Sequence, residues 1–420
     1  MPMSKSFEKR LLPRLKDIVA LFGTPFHIYD EAGILETGEQ LKAGFAGCHG
    51  FKEYFAVKAN TNPEILKLMI KSGFGFDCSS IPELILARKV GAGPDDIMFT
   101  SNNTSQSEFL EAFKDGGCVL NLDDITLIDK MPGEFPELIC FRYNPGPRRT
   151  GNTIIGNPVE AKYGITYEQI IPAYREARQK GAKRFGLHTM IVSNERKIHY
   201  HIGTVWMLLN IARMVKKELG IEFEFINMGG GIGVPYYPTH KPVDIFALGH
   251  KVAMLLQDFG NSMGYMPELF MENGRYLIAP HGVLVTTCIN QKHIYREYRG
   301  VDACMSSLMR PAIYGAYHHI TVLGGKRRRT EVVDVIGSLC ENNDKFAIQR
   351  RLPKIQEGDI LLIHESGGHG YAMCFQYNGR LRPKELMLRR DGIVELIRRE
   401  EFPEDYFRTL EFPPERLLIK

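Results

Sequence analysis

Between about residue 50 and residue 280 the chain repeats one unit eight times: a short apolar run, a polar or glycine-bearing end, then a helix-like stretch. The runs are YFAVK, FGFDC, IMFTS, CVLNLD, LICFRYN, FGLHTMI, FEFINM and ELFMEN. Eight strands alternating with helices over roughly 230 residues have the size and rhythm of a (β/α)8 barrel; a doubly wound open sheet with extra strands is the competing arrangement. Two helix starts are well signalled. Asn62-Pro63 precedes apolar Ile65, Leu66, Met69 and Ile70, and Ser80 with Glu83 reads as a capping box ahead of Leu84 and Ile85.

After about Pro280 the rhythm changes to short strands separated by turn residues, GVLVTTCIN, ITVLG, EVVDVIG and DILLIHE, which predicts a second, mostly β domain. TPFHIYD near the start reads as a strand of that same domain. The expected division is residues 31–278 for the barrel and residues 1–30 plus 279–420 for the β domain. In the first segment Leu11, Leu12, Leu15, Ile18 and Val19 form a helix face broken by charges, without the apolar core of a signal peptide.

A net charge of +4 on 420 residues gives little reason to expect nucleic acid or anionic membrane as a partner. The densest basic run, Lys326 to Arg329, follows a Gly pair between apolar runs and reads as a solvated hairpin loop. None of the eight cysteines forms a C-x-x-C pair, so neither a zinc site nor a disulfide framework is expected, no metal is assigned, and a cytoplasmic location fits. No apolar run is long enough to span a bilayer.

In such a barrel the site lies at the C-terminal ends of the strands. Collected there are Lys58, Asp77, Asn102, Asn103, Arg142, Asn144, His188, Ser193, Gly229, Gly230, Gly231, Glu272 and Arg275. Any one of these has an ordinary explanation: a strand-end lysine in a salt bridge, a glycine triple as a tight turn. Together they exceed what core packing needs. Glycines directly after a strand let backbone N–H groups approach a phosphate, while the run lacks the lysine of a P-loop. An amine, a phosphate cradle and an acid around one mouth suit pyridoxal 5'-phosphate, with Lys58 as the carrier and Glu272 holding the proton on the pyridine nitrogen.

Over nearly its whole length, from FGTPFHIYD to VELIRREE, the chain resembles the fold-type III pyridoxal-phosphate decarboxylases, and most of all diaminopimelate decarboxylase. YFAVKAN matches the family segment whose lysine, here Lys58, carries the cofactor. Glu272, Gly274 and Arg275 match its EPGR motif, with Asn273 in place of proline. SLMRPAIYGAYH implies that Arg310 and Tyr314 bind substrate, and GSLCENNDKFA implies Cys340 as proton donor and Glu341 as a substrate contact. The resemblance further implies decarboxylation of meso-diaminopimelate to L-lysine in lysine biosynthesis, and a homodimer whose subunits share active sites. Lys162 and Asp344 match residues near that interface and suggest an intersubunit ion pair. Lysine, ornithine, arginine and carboxynorspermidine are alternative substrates. Alanine racemisation and a non-catalytic binding homologue are alternative classes.

Two departures stand out. Met190 occupies the position of the family histidine that stacks on the cofactor, with Ser193 kept, and His369 in GGHGYAMC replaces a tyrosine expected at phosphate and substrate. A thioether can pack on an aromatic face, and an imidazole can donate to phosphate. The later HIGT at His201 lies well past the strand end and reads as coincidence.

Overall fold

In the computed structural model, residues 2–152 and 154–412 are described. The chain forms two compact units: one comprises Met1–Gly33, Tyr236–His240 and Ala279–Lys420, the other Ile34–Pro235 and Lys241–Ile278.

The strand β1 (Phe26–Asp30) precedes the barrel in sequence and belongs to the first unit. The barrel follows: β2 (Lys52–Ala56), β3 (Gly75–Cys78), β4 (Ile97–Phe99), β5 (Val119–Leu122), β6 (Leu138–Arg142), β7 (Arg184–His188), β8 (Phe225–Asn227) and β9 (Glu268–Met271). All neighbours are parallel and β9 returns to β2, so the sheet is closed and the open-sheet alternative falls. The eight strands fall on the eight runs read from the sequence, β2 beginning two residues and β7 one residue earlier and the others trimmed at one or both ends.

Strand alternation divides the barrel interior into two layers. The lower holds Tyr54, Met98, Val119, Cys140, Phe225 and Phe270 as one buried cluster. Its aromatic bulk is accommodated by glycine. A Cβ on Gly186 would run into the Phe225 ring, and one on Gly75 would lie 2.8 Å from the Tyr54 ring. The next inward position on each strand is two residues on, and there, on every strand but β2, where it is Ala56, the side chains turn polar: Asp77, Thr100, Asn121, Arg142, His188, Asn227 and Glu272.

Helix starts follow local chemistry. Asn62 caps the helix Pro63–Lys71, its side chain accepting from the Glu64 N–H. Ser80 does not cap the helix Ile81–Lys89. Glu83 reaches past it to the Ser79 N–H at 2.7 Å, so the expected capping box is replaced by a single backward bond. A true box forms at Ser105 and Glu108.

In the other unit the strands are β10 (Gly282–His293), β11 (Glu297–Val301), β12 (Ile320–Val322), β13 (Thr330–Ile336), β14 (Lys345–Pro353), β15 (Ile360–Ile363), β16 (Lys384–Leu388) and β17 (Val394–Arg398). The sheet order is β14-β13-β11-β10-β1-β16-β17, with β15 pairing β10 and β12. TPFHIYD thus joins this unit as β1, antiparallel to β10 and parallel to β16. The N-terminal helices Lys5–Leu11 and Leu15–Phe22 lay Phe7, Leu11, Leu15 and Ile18 on Phe26, Ile28, Val283 and Leu386. The basic run Lys326–Arg329 is not a hairpin, because the strands it joins, β12 and β13, do not pair. Arg328 instead binds Asp359. No helix among the described residues is long and apolar enough to cross a membrane.

Candidate active site

Lys58 sits just beyond β2, on the 3-10 turn Val57–Ala59, with its side chain about half exposed. Its Nζ donates to Asp77 Oδ2 at 2.7 Å. Desolvation works against the ammonium, but the Asp77 charge and hydrogen bond, with Glu272 behind them, hold Lys58 above the usual lysine range. Burial and the nearby Glu272 push the Asp77 carboxyl up, against the pull of Lys58.

The polar layer is wired across the barrel. Asn121 Nδ2 donates to Thr100 Oγ1 at 3.0 Å and meets His188 Nδ1 at 2.9 Å. With Nδ1 accepting, the ring proton lies on Nε2 and is donated to Glu272 Oε2 at 3.0 Å. Asn227 Nδ2 donates to the other Glu272 oxygen at 2.8 Å. Burial raises the Glu272 carboxyl, but His188, Lys58 and Arg142 outweigh it and leave it below the ordinary range. Glu272 is therefore an ionised acid held from two sides, with Lys58 close enough to feel its charge.

Arg142 binds Asp123 Oδ1 at 3.3 Å and the Met190 carbonyl at 3.4 Å, and its guanidinium lies 4.2 Å from the Tyr163 ring centre. Arg275 reaches Ser193 Oγ at 3.5 Å. The three glycines are required by close approach. A Cβ on Gly230 would clash with the Glu272 carbonyl, and Gly229 and Gly231 adopt φ of 69° and 89°. Their N–H groups are not all free for a phosphate: Gly229 donates to Asn227 Oδ1 at 2.9 Å and Gly230 approaches Met190 Sδ at 3.3 Å. Met190 thus lies against the glycine turn. His201, as read from the sequence, is elsewhere: it is buried in its helix, with Nε2 on the Glu195 carbonyl.

The structure therefore brings together Lys58, Asp77, Arg142, His188, Met190, Ser193, Gly229–Gly231 and Glu272–Arg275 at one end of the barrel. Sequence reading missed Asn121, Asn227 and Asp123, which hold these groups in place. Each is a polar residue at or just after the end of an apolar strand, on the inward phase of the alternation, and that phase was the signal. Asp77 Oδ1 and Asn121 Oδ1 are buried without a hydrogen-bond partner among the described residues. An amine, an ionised acid and a glycine turn fit pyridoxal phosphate.

Arg310, Tyr314, Cys340, Glu341, Asp344 and His369 lie in the other unit. Arg310 is buried, at 5% exposure; it donates to Tyr236 Oη at 2.5 Å and approaches His318 Nε2 at 3.4 Å. No carboxylate lies within ion-pair distance of it among the described residues. Tyr314 is exposed. Cys340 is exposed, with its N–H on Asn378 Oδ1 at 2.8 Å, and Glu341 accepts from the Asn343 N–H. His369 takes φ of 57°, unusual for a residue with a Cβ. Asp344 is buried and its two oxygens accept from the Met305 and Leu339 N–H groups, while Lys162 is exposed.

The comparisons with known proteins agree with this geometry. A family model described as "Pyridoxal-dependent decarboxylase, pyridoxal binding domain" matches residues 34–279. Protein TabA of Pseudomonas amygdali pv. tabaci is 44% identical over 99% of this chain and 97% of its own length. Diaminopimelate decarboxylase of Methanothermobacter thermautotrophicus is 35% identical over 93% of this chain and 92% of its own. The crystal structure of diaminopimelate decarboxylase from M. jannaschii in co-complex with L-lysine superposes with a TM-score of 0.88 at 29% identity, covering 94% of each chain. The chain belongs to the pyridoxal-dependent decarboxylases. Pyridoxal 5'-phosphate is its cofactor, and the enzyme is an amino-acid carboxy-lyase of the diaminopimelate decarboxylase type.

Proposed function

We propose that the substrate is meso-2,6-diaminopimelate and that the products are L-lysine and carbon dioxide. The observation that carries this reading is Arg310, a buried guanidinium whose described partners are a phenol and an imidazole rather than a carboxylate. An unpaired buried cation is costly unless an anion completes it, and a distal carboxylate is the group that diaminopimelate has and a simple diamino acid lacks. Its planar fork suits that group.

The bound cofactor supplies an electron sink for the charge left at Cα when the carboxylate departs. Lys58 carries it. Glu272, kept ionised by its neighbours, holds the proton on the ring nitrogen, and His188 and Asn227 keep that carboxylate from turning away. Gly230, Gly231, Gly274, Arg275, Ser193 and His369 serve the phosphate end, and Arg142 with Met190 lines the mouth beside them. The Cys340 thiol returns a proton to Cα, and Glu341 takes the distal ammonium. On the family resemblance, Cys340 and Glu341 act with the Lys58 of a second copy, so the working enzyme is a homodimer.

A second reading is supported by the relative at 44% identity, whose name is not that of a diaminopimelate decarboxylase. In it the chain decarboxylates a different amino acid that also bears a distal anion. Incubation with pyridoxal phosphate and a panel of amino acids, following carbon dioxide and the amine product, separates the two. Diaminopimelate is expected to be turned over and L-lysine, ornithine and arginine not. Turnover of a panel member in preference to diaminopimelate would reject the first reading.

A further inference from the structure

The seam that closes the barrel is short. β2 and β9 pair only at Lys52 with Phe270 and Glu53 with Met271. Regular pairing has therefore stopped before the two chains reach Lys58 and Glu272. A side chain takes over. Glu53, 1% exposed, accepts from the Asn273 backbone N–H at 2.5 Å and from Asn273 Nδ2 at 3.0 Å. The Asn273 carbonyl accepts from the Ala56 N–H at 3.3 Å, and Asn273 Oδ1 from the Ile232 N–H at 3.4 Å. Asn273 thus joins the first strand, the turn after the last strand and the glycine turn. The next residue, Gly274, has no room for a side chain: a Cβ would lie 2.5 Å from that of Ala59, so the Glu272–Arg275 turn packs directly on the turn that carries Lys58.

Nothing in packing alone calls for an acid there. Burial pushes the Glu53 carboxyl well above the usual range, and Glu272 and Asp77 add to the push against the two bonds from Asn273. An apolar side chain would fill the space without that cost. The pair also depends on the departure from the EPGR pattern, because a proline at 273 would have neither the backbone N–H nor the amide that Glu53 accepts.

We infer that Glu53 is a positioning residue: through Asn273 it fixes the Glu272–Arg275 turn against the Val57–Ala59 turn, and so sets the Glu272 carboxylate and the Lys58 amine in place relative to each other. The inference rests on the reading of Lys58 and Glu272 as the groups that hold the cofactor.

The test uses a donor–acceptor reversal. Glu53→Gln turns one acceptor into an NH2 that opposes Asn273 Nδ2. Glu53→Gln combined with Asn273→Asp lets that NH2 donate to the new carboxylate while the Gln oxygen still accepts the backbone N–H. For holoenzyme of each variant, the cofactor dissociation constant is read from visible absorbance on dilution, and the asymmetry of the cofactor's surroundings from visible circular dichroism. Glu53→Gln is expected to weaken cofactor binding about tenfold or more, the consequence of one opposed buried hydrogen bond, and to reduce the visible dichroism. The double variant is expected to recover both. Wild-type affinity and dichroism in Glu53→Gln would overturn the inference, as would a double variant that has wild-type far-ultraviolet dichroism yet binds no better than the single. Should Glu53→Gln not fold, Asn273→Ala removes the Nδ2 donor to Glu53 together with the Oδ1 acceptor of the Ile232 N–H while keeping the backbone N–H, and wild-type cofactor binding there would overturn the inference equally. Lys58→Ala separates this idea from its foundation. If that variant keeps the visible band, the reading of the site fails; if it loses the band while Glu53→Gln binds normally, only the role of Glu53 fails.

Discussion

Replacing Arg310 by methionine separates a substrate-binding cation from a structural one. In the free protein Arg310 makes one bond to Tyr236 Oη and a longer approach to His318 Nε2, with no acid to neutralise it among the described residues. Losing those bonds costs about 1 kcal/mol each, and removing an uncompensated buried charge gives back a similar amount. Methionine keeps most of the apolar stem, so the net change in stability is expected to stay within about 2 kcal/mol of zero. Binding a distal carboxylate is a different matter. Truncating one partner of a buried charge pair costs roughly 2–5 kcal/mol, which corresponds to a fall in kcat/KM of about 30-fold to several thousand-fold. Steady-state kinetics with diaminopimelate, a cofactor titration and a thermal melt decide the case. The expected outcome is a large loss of kcat/KM with near-normal cofactor binding and melting. Unchanged diaminopimelate turnover would refute the assignment, and so would a loss matched by an equal collapse in stability.

Glu272→Gln should keep the cofactor and lower kcat by roughly a hundredfold or more, the scale for removing one preorganised electrostatic group; wild-type turnover would remove Glu272 from the reaction. Gly186→Ala should destabilise the barrel by about 1–3 kcal/mol through overpacking against Phe225, read from denaturant unfolding. Glu365 sits fully buried at φ of 51° and accepts from the Met3 N–H at 2.5 Å, and burial pushes its carboxyl from 4.5 up to about 8. Between those values the folded state binds the proton and the unfolded state does not, so stability should fall as pH rises through this window and be fully present below it. Glu365→Gln should flatten that slope in melts across the pH range. Mixing inactive Lys58→Ala and Cys340→Ala proteins under subunit exchange should restore one intact site per heterodimer and part of the activity; no recovery despite demonstrated exchange would put both residues to work within one chain.

The barrel was legible because each of its eight strands is a short apolar run bounded by polar or glycine residues, and the helices between them carry their own start signals. The second unit was harder to read. β11, β14, β16 and β17 carry charged side chains such as Arg299, Arg350, Glu385 and Arg398, so they do not read as apolar runs, and their pairing is set by contacts distant in sequence. The Lys326–Arg329 turn was misread for the same reason: nothing local says that β12 turns to β15 rather than to β13. Asp344 reads as a surface acid in ENNDK, and only the fold turns it inward onto two backbone N–H groups.

For the site, sequence supplied most of the groups that carry charge, while two amides that aim them, Asn121 and Asn227, and the acid that pairs with Arg142, Asp123, were overlooked. The strand period explains why both were available. In β8, Phe225 packs the lower layer and Asn227, two residues on, meets Glu272 just past β9 in the layer above and donates down to Met98 of β4. In β7, Gly186 makes room for Phe225 and His188 rises over it. β7 and β8 each therefore spend one inward position on closing the barrel and the next on chemistry. A slip of one residue in β8 would turn Ile226 into the mouth and Asn227 out toward the helices, removing the partner of Glu272 and of the Gly229 N–H in a single step. The aromatic–glycine fit beneath forbids that slip, because Phe225 has its space only opposite Gly186. Precision at the acid thus depends on packing two residues below it, in a layer of apolar and aromatic side chains whose one hydroxyl, on Tyr54, turns to the Asp95 carbonyl.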